Sequence, residues 1–425
     1  MKTSETATVC GRCQDDVAHA RCRVCGRTGM SSVLCLGRVP LANEFVPPEL
    51  APSPSHPLHL LHCDDCALAQ LARSLSPEEL FVEYAYFSSA AAPVLEHGRR
   101  LRAFVGQELA PESGGLVVEI GSNDGYLLRS YAADGYQVLG VDPARNVTPQ
   151  ARANGVRTLD AFFSRELAAE MRRSYGPACL IHANNVIAHT PDVVDVLSGL
   201  QLMLVDGGGA AVIEVPYLKH LVERGLFDTI YHEHVFYYSF TALYRLLKAA
   251  GLTAVHVTQT AFHGGSLRIV ARAHPQAVSP SVEQLLREEA EACMTDISYY
   301  ADFAAKVEDF LAATRKELHA LAAAGYSLAG IGAPAKAAIM MSATDAPLKY
   351  ISDTTPYKQG KCLPGTSVPV VAPDLLSTSP PDYCVIFPWN YADAIIEANG
   401  DYLRGGGSFI KPIDFRLEYI TARHP

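Results

Sequence analysis

The run Leu116-Val-Val-Glu-Ile-Gly-Ser-Asn-Asp-Gly125 constrains this chain more than any other ten residues. A short apolar stretch of this kind reads as a buried strand. Glycine at 121 and 125 lets the backbone turn sharply and come close to a ligand, because glycine has no Cβ. A glycine turn into a helix leaves backbone N–H groups that can meet polar ligand groups. The next apolar run, Gln137–Val141, leads into Asp142, 23 residues beyond Glu119. An acidic side chain at that place can accept both hydroxyls of a ribose. The dinucleotide pattern G-x-G-x-x-G is absent, since position 123 is Asn, which turns the expected cofactor from NAD towards S-adenosylmethionine. Glu119, Gly121, Ser122, Asn123, Gly125 and Asp142 are the expected cofactor contacts.

The surrounding pattern agrees. Leu116–Ile120, Gln137–Val141, residues 178–186 and 210–215 are apolar runs separated by stretches of helical composition. That alternation predicts a doubly wound α/β sheet. Residues 253–260 and 265–272 read as an antiparallel pair closing it. Ser76-Pro77 predicts a helix start, with serine as N-cap and proline in the first turn, for a helix over 77–112. Ser281-Val-Glu-Gln284 fits a capping box opening a helical stretch to about Ala324. A second strand–glycine–helix unit begins at residues 326–331, with further short strands expected at 350–353, 368–371 and 383–387.

A chain of 425 residues is too long for one core. The expected division is 1–75, 76–278 and 279–425. With 35 Lys and Arg against 45 Asp and Glu, the formal charge is −10. That disfavours nucleic acid and anionic membrane as partners, which need a net basic face. No apolar run approaches the ~20 residues of a membrane span. The polar start lacks an apolar signal region, so a cytoplasmic protein is expected, with no obligate protein partner in evidence.

Seven of the eleven cysteines lie within the first 66 residues. In a reducing compartment such clustering reads as metal ligation. Cys22-Arg-Val-Cys25 and Cys63-Asp-Asp-Cys66 can each present two thiolates, and together they complete a tetrahedral structural zinc site. The 37 residues between them are many for a zinc ribbon and must fold back as a loop or small sheet. Cys10-Gly-Arg-Cys13 is a third knuckle that replaces one of the others or binds nothing.

Tyr231-His-Glu-His234 places four polar groups in succession, and His189 follows a strand at the same sheet edge. A carboxylate beside imidazoles can tune a base towards neutrality. His263 sits in the turn of the last hairpin. Gly330-Ile-Gly-Ala-Pro-Ala-Lys336 lacks the full phosphate-loop pattern, yet Lys336 is placed to meet a phosphate. Asp353 opens a loop with Lys358 and Lys361 that suits a diphosphate.

In this order the motifs resemble those of the sugar C-methyltransferases, which act on nucleotide-activated 4-keto-deoxyhexoses, typically at C-3. The resemblance begins at Cys22–Cys25 and Pro40-Leu-Ala-Asn-Glu-Phe45. It runs through Tyr86-Phe-Ser-Ser89, Glu119–Gly125, Asn185–His189, Tyr231–His234 and His263–Arg268 to Gly332–Lys336 and residues 353–360. It implies three parts: a zinc module, a Rossmann-like methyltransferase domain, and a C-terminal Rossmann-like domain that holds the nucleotide sugar. It also implies that Tyr231, Glu233 and His234 supply base and substrate contacts, with His189 beside them. Tyr86, His263, Lys336, Asp353 and Lys358 are then expected on the substrate. The extra knuckle at Cys10 and Cys13 departs from the family pattern.

The chemistry expected is removal of the C-3 proton by a positioned base while donors stabilise the enolate oxygen. His234 polarised by Glu233 is the expected base. Tyr231 and His189 are expected at the ketone. The rival is a nicotinamide-dependent oxidoreductase on the same sugars using residues 330–336. A second rival is a zinc scaffold with a decayed methyltransferase fold, against which the intact motifs argue.

Overall fold

A computed structural model of the chain describes residues 14–84, 87–274 and 276–422. Three sheets organise it. The first contains β1 (Ser31–Pro40), β2 (Ser55–Cys63) and β3 (Leu68–Leu71). The central stretch supplies β4 (Leu116–Ile120), β5 (Gln137–Val141), β6 (Thr158–Leu159), β7 (Ala178–Asn184), β8 (Ala210–Pro216), β9 (Phe236–Tyr237), β10 (Thr253–Thr260) and β11 (Ser266–Arg272). The third sheet holds β12 (Leu328–Ile331), β13 (Ile351–Ser352), β14 (Val370–Val371), β15 (Tyr383–Ile386), β16 (Ser408–Ile413) and β17 (Arg416–Ile420).

The central sheet has the order β10-β11-β8-β7-β4-β5-β6. Its core strands are parallel, and β11 lies antiparallel between β8 and β10. The strand order reverses between β4 and β7, which opens a crevice at their carboxyl ends. Every residue of β4 is buried, Glu119 included, as expected of a strand covered on both faces. The third sheet, β14-β13-β12-β15-β16-β17, repeats the parallel design and ends in an antiparallel hairpin. Among the described residues no helix is long and apolar enough to cross a membrane.

Three expectations need correction. The helix over 77–112 is two helices, Pro77–Phe81 and Ala92–Glu108, with a 3-10 turn at 88–90 between them. The first does carry the Ser76 cap, reciprocated by Glu79. The break has a cause: Ser88 and Ser89 donate their backbone N–H groups to Asn123 Oδ1 and Asp124 Oδ2 of the glycine loop, at 2.8 and 3.0 Å. The stretch from 281 to 324 is likewise divided, into Pro280–Glu291 and Ala301–Ala323. Ser281 is not its cap; its Oγ accepts the N–H of Val257 on β10 instead. Strand β7 stops at Asn184, before the expected residue 186, because Asn185 takes a left-handed φ of 54°.

The insert between the cysteine knuckles folds back as a small sheet, one of the two forms expected of it, whereas the hairpin β16–β17 went unread in the sequence. In β2, His56, His59 and His62 interrupt the apolar pattern. This N-terminal sheet is completed by β9 from the central stretch, which pairs with β3 through Ala69–Tyr237 and Gln70–Phe236. One core cluster joins Leu58 and Leu60 of the N-terminal sheet, Phe227 and Ile230, Phe303 and Phe310, and Ile351 and Val385.

Candidate active site

A cavity of about 660 Å³ opens above the carboxyl ends of β4, β5 and β7. Glu119, Gly121, Asn123, Asp142 and Asn184 line one end. His189, Tyr231, His234 and His263 line the middle, and Lys336, Lys358 and Asn390 close the other end.

The cofactor end is built by the glycine loop. Gly121 has φ 65°, and a Cβ there would stand 2.5 Å from Val186 Cγ2. Asn123 also sits at positive φ, 49°. Its N–H donates to Asp142 Oδ2 at 2.8 Å, and Ala144 N–H donates to Asp142 Oδ1 at 2.9 Å. Burial raises the Asp142 carboxyl above its usual range. Glu119 is raised well above its own, first by burial and then by Asp142 and Asp124. Its Oε2 is buried without a hydrogen-bond partner among the described residues.

Four of the loop's N–H groups are already engaged. Gly121 and Ser122 donate to Val141, Asn123 to Asp142, and Gly125 to Ser122. The helix itself begins only at Leu128. Ser122 is buried against Gly140, where an added Cβ would meet its Oγ at 2.4 Å, and neither Ser122 nor Gly125 lines the cavity. Gly125 is needed for packing, since its Cβ would come within 2.9 Å of Val156.

The polar run in the middle is buried. His234 Nδ1 lies 3.1 Å from the Thr229 carbonyl, so that nitrogen carries the proton. Nε2 then offers its lone pair to the Tyr231 hydroxyl at 3.0 Å. Burial holds His234 well below the usual histidine range, and His189 is pushed down to about 4 for the same reason. The two imidazoles stand 4.7 Å apart between centroids. His189 Nδ1 meets the Glu233 backbone carbonyl at 2.8 Å.

The Glu233 carboxylate does not reach His234. It accepts from Asn43 Nδ2 at 2.6 Å and from the Tyr84 hydroxyl at 3.5 Å. Adjacent residues diverge here, so the expected polarisation of His234 by Glu233 is replaced by the Thr229 carbonyl. Burial pushes Glu233 up to about 7, against the opposing pull of Asn43 and Tyr84.

At the far end Lys336 Nζ donates to Asn390 Oδ1 at 2.6 Å and lies 3.7 Å from the centre of the Trp389 ring. Burial brings it down to about 8, with Asp228 opposing. Asp228 accepts the Trp389 indole N–H at 2.7 Å. His263 has φ 52° and is pushed down to about 3 by burial. Asp353 does not line the cavity. It accepts the N–H groups of Ala333 and Thr355 and faces Lys358 at 3.5 Å, so it braces its own loop. Lys358 lines the cavity, but its Nζ already donates to the Ala333 carbonyl at 2.9 Å.

The four cysteines Cys22, Cys25, Cys63 and Cys66 bring their sulfurs within 4.8 Å of one another. Two of the separations are 3.9 and 3.7 Å. Four thiolates at ~2.3 Å from a tetrahedral zinc stand about 3.8 Å apart, so the set fits that metal and leaves no open position. Cys10, Cys13 and Tyr86 lie outside the described residues.

Reading the sequence missed Asn43, Tyr84, Phe262 and Asn390, all of which line the cavity. Asn184 had a signal in its place at the end of an inner strand. Both polar atoms of its side chain are buried without a partner among the described residues.

Three family models match. One is described as "C-methyltransferase C-terminal domain" over residues 261–414. A second is "Methyltransferase domain" over 94–257, and a third is "Putative zinc binding domain" over 22–81. C-methyltransferase NovU of Streptomyces niveus is 36% identical over 399 residues, which is 92% of this chain and 95% of that protein. Among solved structures, the magnesium protoporphyrin IX methyltransferase of Synechocystis PCC 6803 with bound SAM shares 15% identity. That match covers 42% of this chain and 80% of that one at a TM-score of 0.32. The CcbJ methyltransferase of Streptomyces caelestis shares 15% identity, covering 42% and 90%, at a TM-score of 0.33.

Proposed function

The chain belongs to the family of S-adenosylmethionine-dependent C-methyltransferases with an N-terminal zinc-binding domain, and on that premise we propose that it methylates C-3 of a nucleotide-activated 4-keto-deoxyhexose. The observation that carries this reading is one continuous cavity. It joins the unpartnered Glu119 Oε2 and Asn184 amide to a neutral imidazole and to two half-buried lysines.

S-adenosylmethionine supplies an electrophilic methyl group when bound. Asp142 and Glu119 are the groups for its ribose, and Asn184 offers both a donor and an acceptor nearby. His234 is the base. Burial keeps it neutral near pH 7, and the Thr229 carbonyl fixes the proton on Nδ1, so Nε2 is ready to accept. The Tyr231 hydroxyl, bonded to that nitrogen, orients it and can relay the proton. His189 contacts the ketone. Lys336 and Lys358 place positive charge where a diphosphate and a developing enolate oxygen need it.

The test is transfer of a labelled methyl group to a dTDP-4-keto-deoxyhexose, with the product read by carbon NMR. A new quaternary or branched C-3 carbon is expected. Methyl found on oxygen, or hydride exchange with a nicotinamide and no methyl transfer, would defeat the reading.

A further inference from the structure

The loop between β1 and β2 reaches the transfer site from the cysteine-bearing unit. Asn43 on that loop donates from Nδ2 to Glu233 Oε1 at 2.6 Å, across 190 residues of chain. The loop is anchored on both sides. Phe45 is buried in the shared core, and the Cys362 N–H of the third sheet's unit donates to the Val46 carbonyl at 2.8 Å. Asn43 itself lines the cavity.

Resting on the function proposed above, we infer that Asn43 is a positioning residue that holds the Glu233 carboxylate against the wall of the transfer site. The long insert between the two cysteine knuckles is then a wall of the active site.

Glu233 has only neutral company. Tyr84 faces its second oxygen from the segment after the helix Pro77–Phe81. His189 meets its backbone carbonyl, and on its own loop His232 points to the Pro57 carbonyl and His234 to Thr229 and Tyr231. Burial keeps His189, His232 and His234 neutral. Among the described residues no lysine or arginine pairs with Glu233. The Asn43 amide is thus the closest donor favouring the ionised form. Glu233 does not itself line the cavity; Asn43 and Tyr84, which hold it, do. Removing the Asn43 amide raises the folded-state pKa further, so the ionised fraction at neutral pH falls. Any rate that needs the carboxylate then loses its acidic side first.

The experiment compares wild type, Asn43→Ala and Asn43→Gln, each with zinc content and S-adenosylmethionine affinity measured. In Asn43→Ala the acidic limb of kcat/KM is expected to move up by about one pH unit, with kcat/KM at pH 7 down roughly fivefold. Zinc and cofactor affinity should be unchanged, and Asn43→Gln should recover part of the loss. A pH-independent loss, or loss of zinc, would mean a merely structural role and overturn the inference. If wild type transfers no methyl to such sugars, the functional reading has failed separately. Carbon NMR of labelled glutamate still reads the Glu233 titration in wild type and Asn43→Ala without turnover. An unmoved titration overturns the inference by itself.

Discussion

The central and C-terminal units carry the same device and use it differently. In each, a glycine loop after the first strand donates one backbone N–H to an aspartate ending the next strand. Asn123 donates to Asp142 at 2.8 Å, and Ala333 to Asp353 at 2.6 Å. In each, the residue two places on also donates to that aspartate: Ala144 at 2.9 Å and Thr355 at 2.8 Å. The surroundings then part. Asp142 has no cation among the described residues, lines the cavity and is raised by burial. Burial would raise Asp353 as well, but Lys358 and the backbone donors hold it below its usual range. A ligand site survives where the aspartate lacks a partner, and it becomes a brace where a lysine supplies one. The match to a C-methyltransferase over 92% of the chain weighs against the oxidoreductase rival.

The largest effect should fall where only the first unit has chemistry above it. His234→Asn is expected to lower methyl transfer by about 10²–10⁴-fold with S-adenosylmethionine affinity nearly intact. Following C-3 hydrogen exchange into deuterated water checks whether the lost step is proton removal.

The paired aspartates come next. Asp142→Ala should weaken S-adenosylmethionine binding by about 1.5–3 kcal/mol, because a charge-assisted contact is lost. Asp353→Ala should leave that affinity alone and lower the thermal midpoint. Calorimetry that found the two effects exchanged would break the comparison.

A smaller effect has opposite signs in two measurements. Asn184→Leu removes a buried amide without partners, so the ligand-free protein should gain up to roughly 1–3 kcal/mol while cofactor affinity falls. Thermal melts with and without S-adenosylmethionine read both.

The smallest concerns pH. Glu119 has a folded-state pKa above its unfolded value, so its ionisation costs stability once the pH passes the unfolded value near ~4.3. Glu119→Gln should stabilise the ligand-free protein at pH 7, with the gain vanishing near pH 4. Asp353 is depressed, so its contribution is present above the unfolded value and lost as pH falls through the folded one. Asp353→Asn should therefore cost stability at pH 7 and little below pH 3. Melts across that range separate the two carboxylates.

What the sequence made legible was local. Strands β4 and β5 match their apolar runs end to end, and Glu119, Gly121 and Asp142 stand together because a strand–turn–strand unit sets their spacing. The four cysteines are legible for the same reason. The rest depends on contacts distant in sequence. Asn43 and Tyr84 meet Glu233 across 190 and 149 residues, and nothing in local pattern marks them. The break in the expected helix 77–112 comes from the glycine loop, 35 residues away from Ser88. Glu233 and His234 were expected to act on each other because they are neighbours, and neighbours on a turn point apart.

The pairing of β3 with β9 sets a timetable. Leu71 ends β3, and its edge finds a partner only when residues 236–237 arrive. At a synthesis rate of ~5–20 residues per second, those 165 or so residues take roughly 8–33 s. Throughout that interval the nascent chain carries an uncovered strand edge beside Leu58 and Leu60, part of whose core, with Phe303, Phe310, Ile351 and Val385, is made later still. All four cysteines of the metal site precede the gap, so zinc can lock the cysteine end of the sheet while its other edge waits.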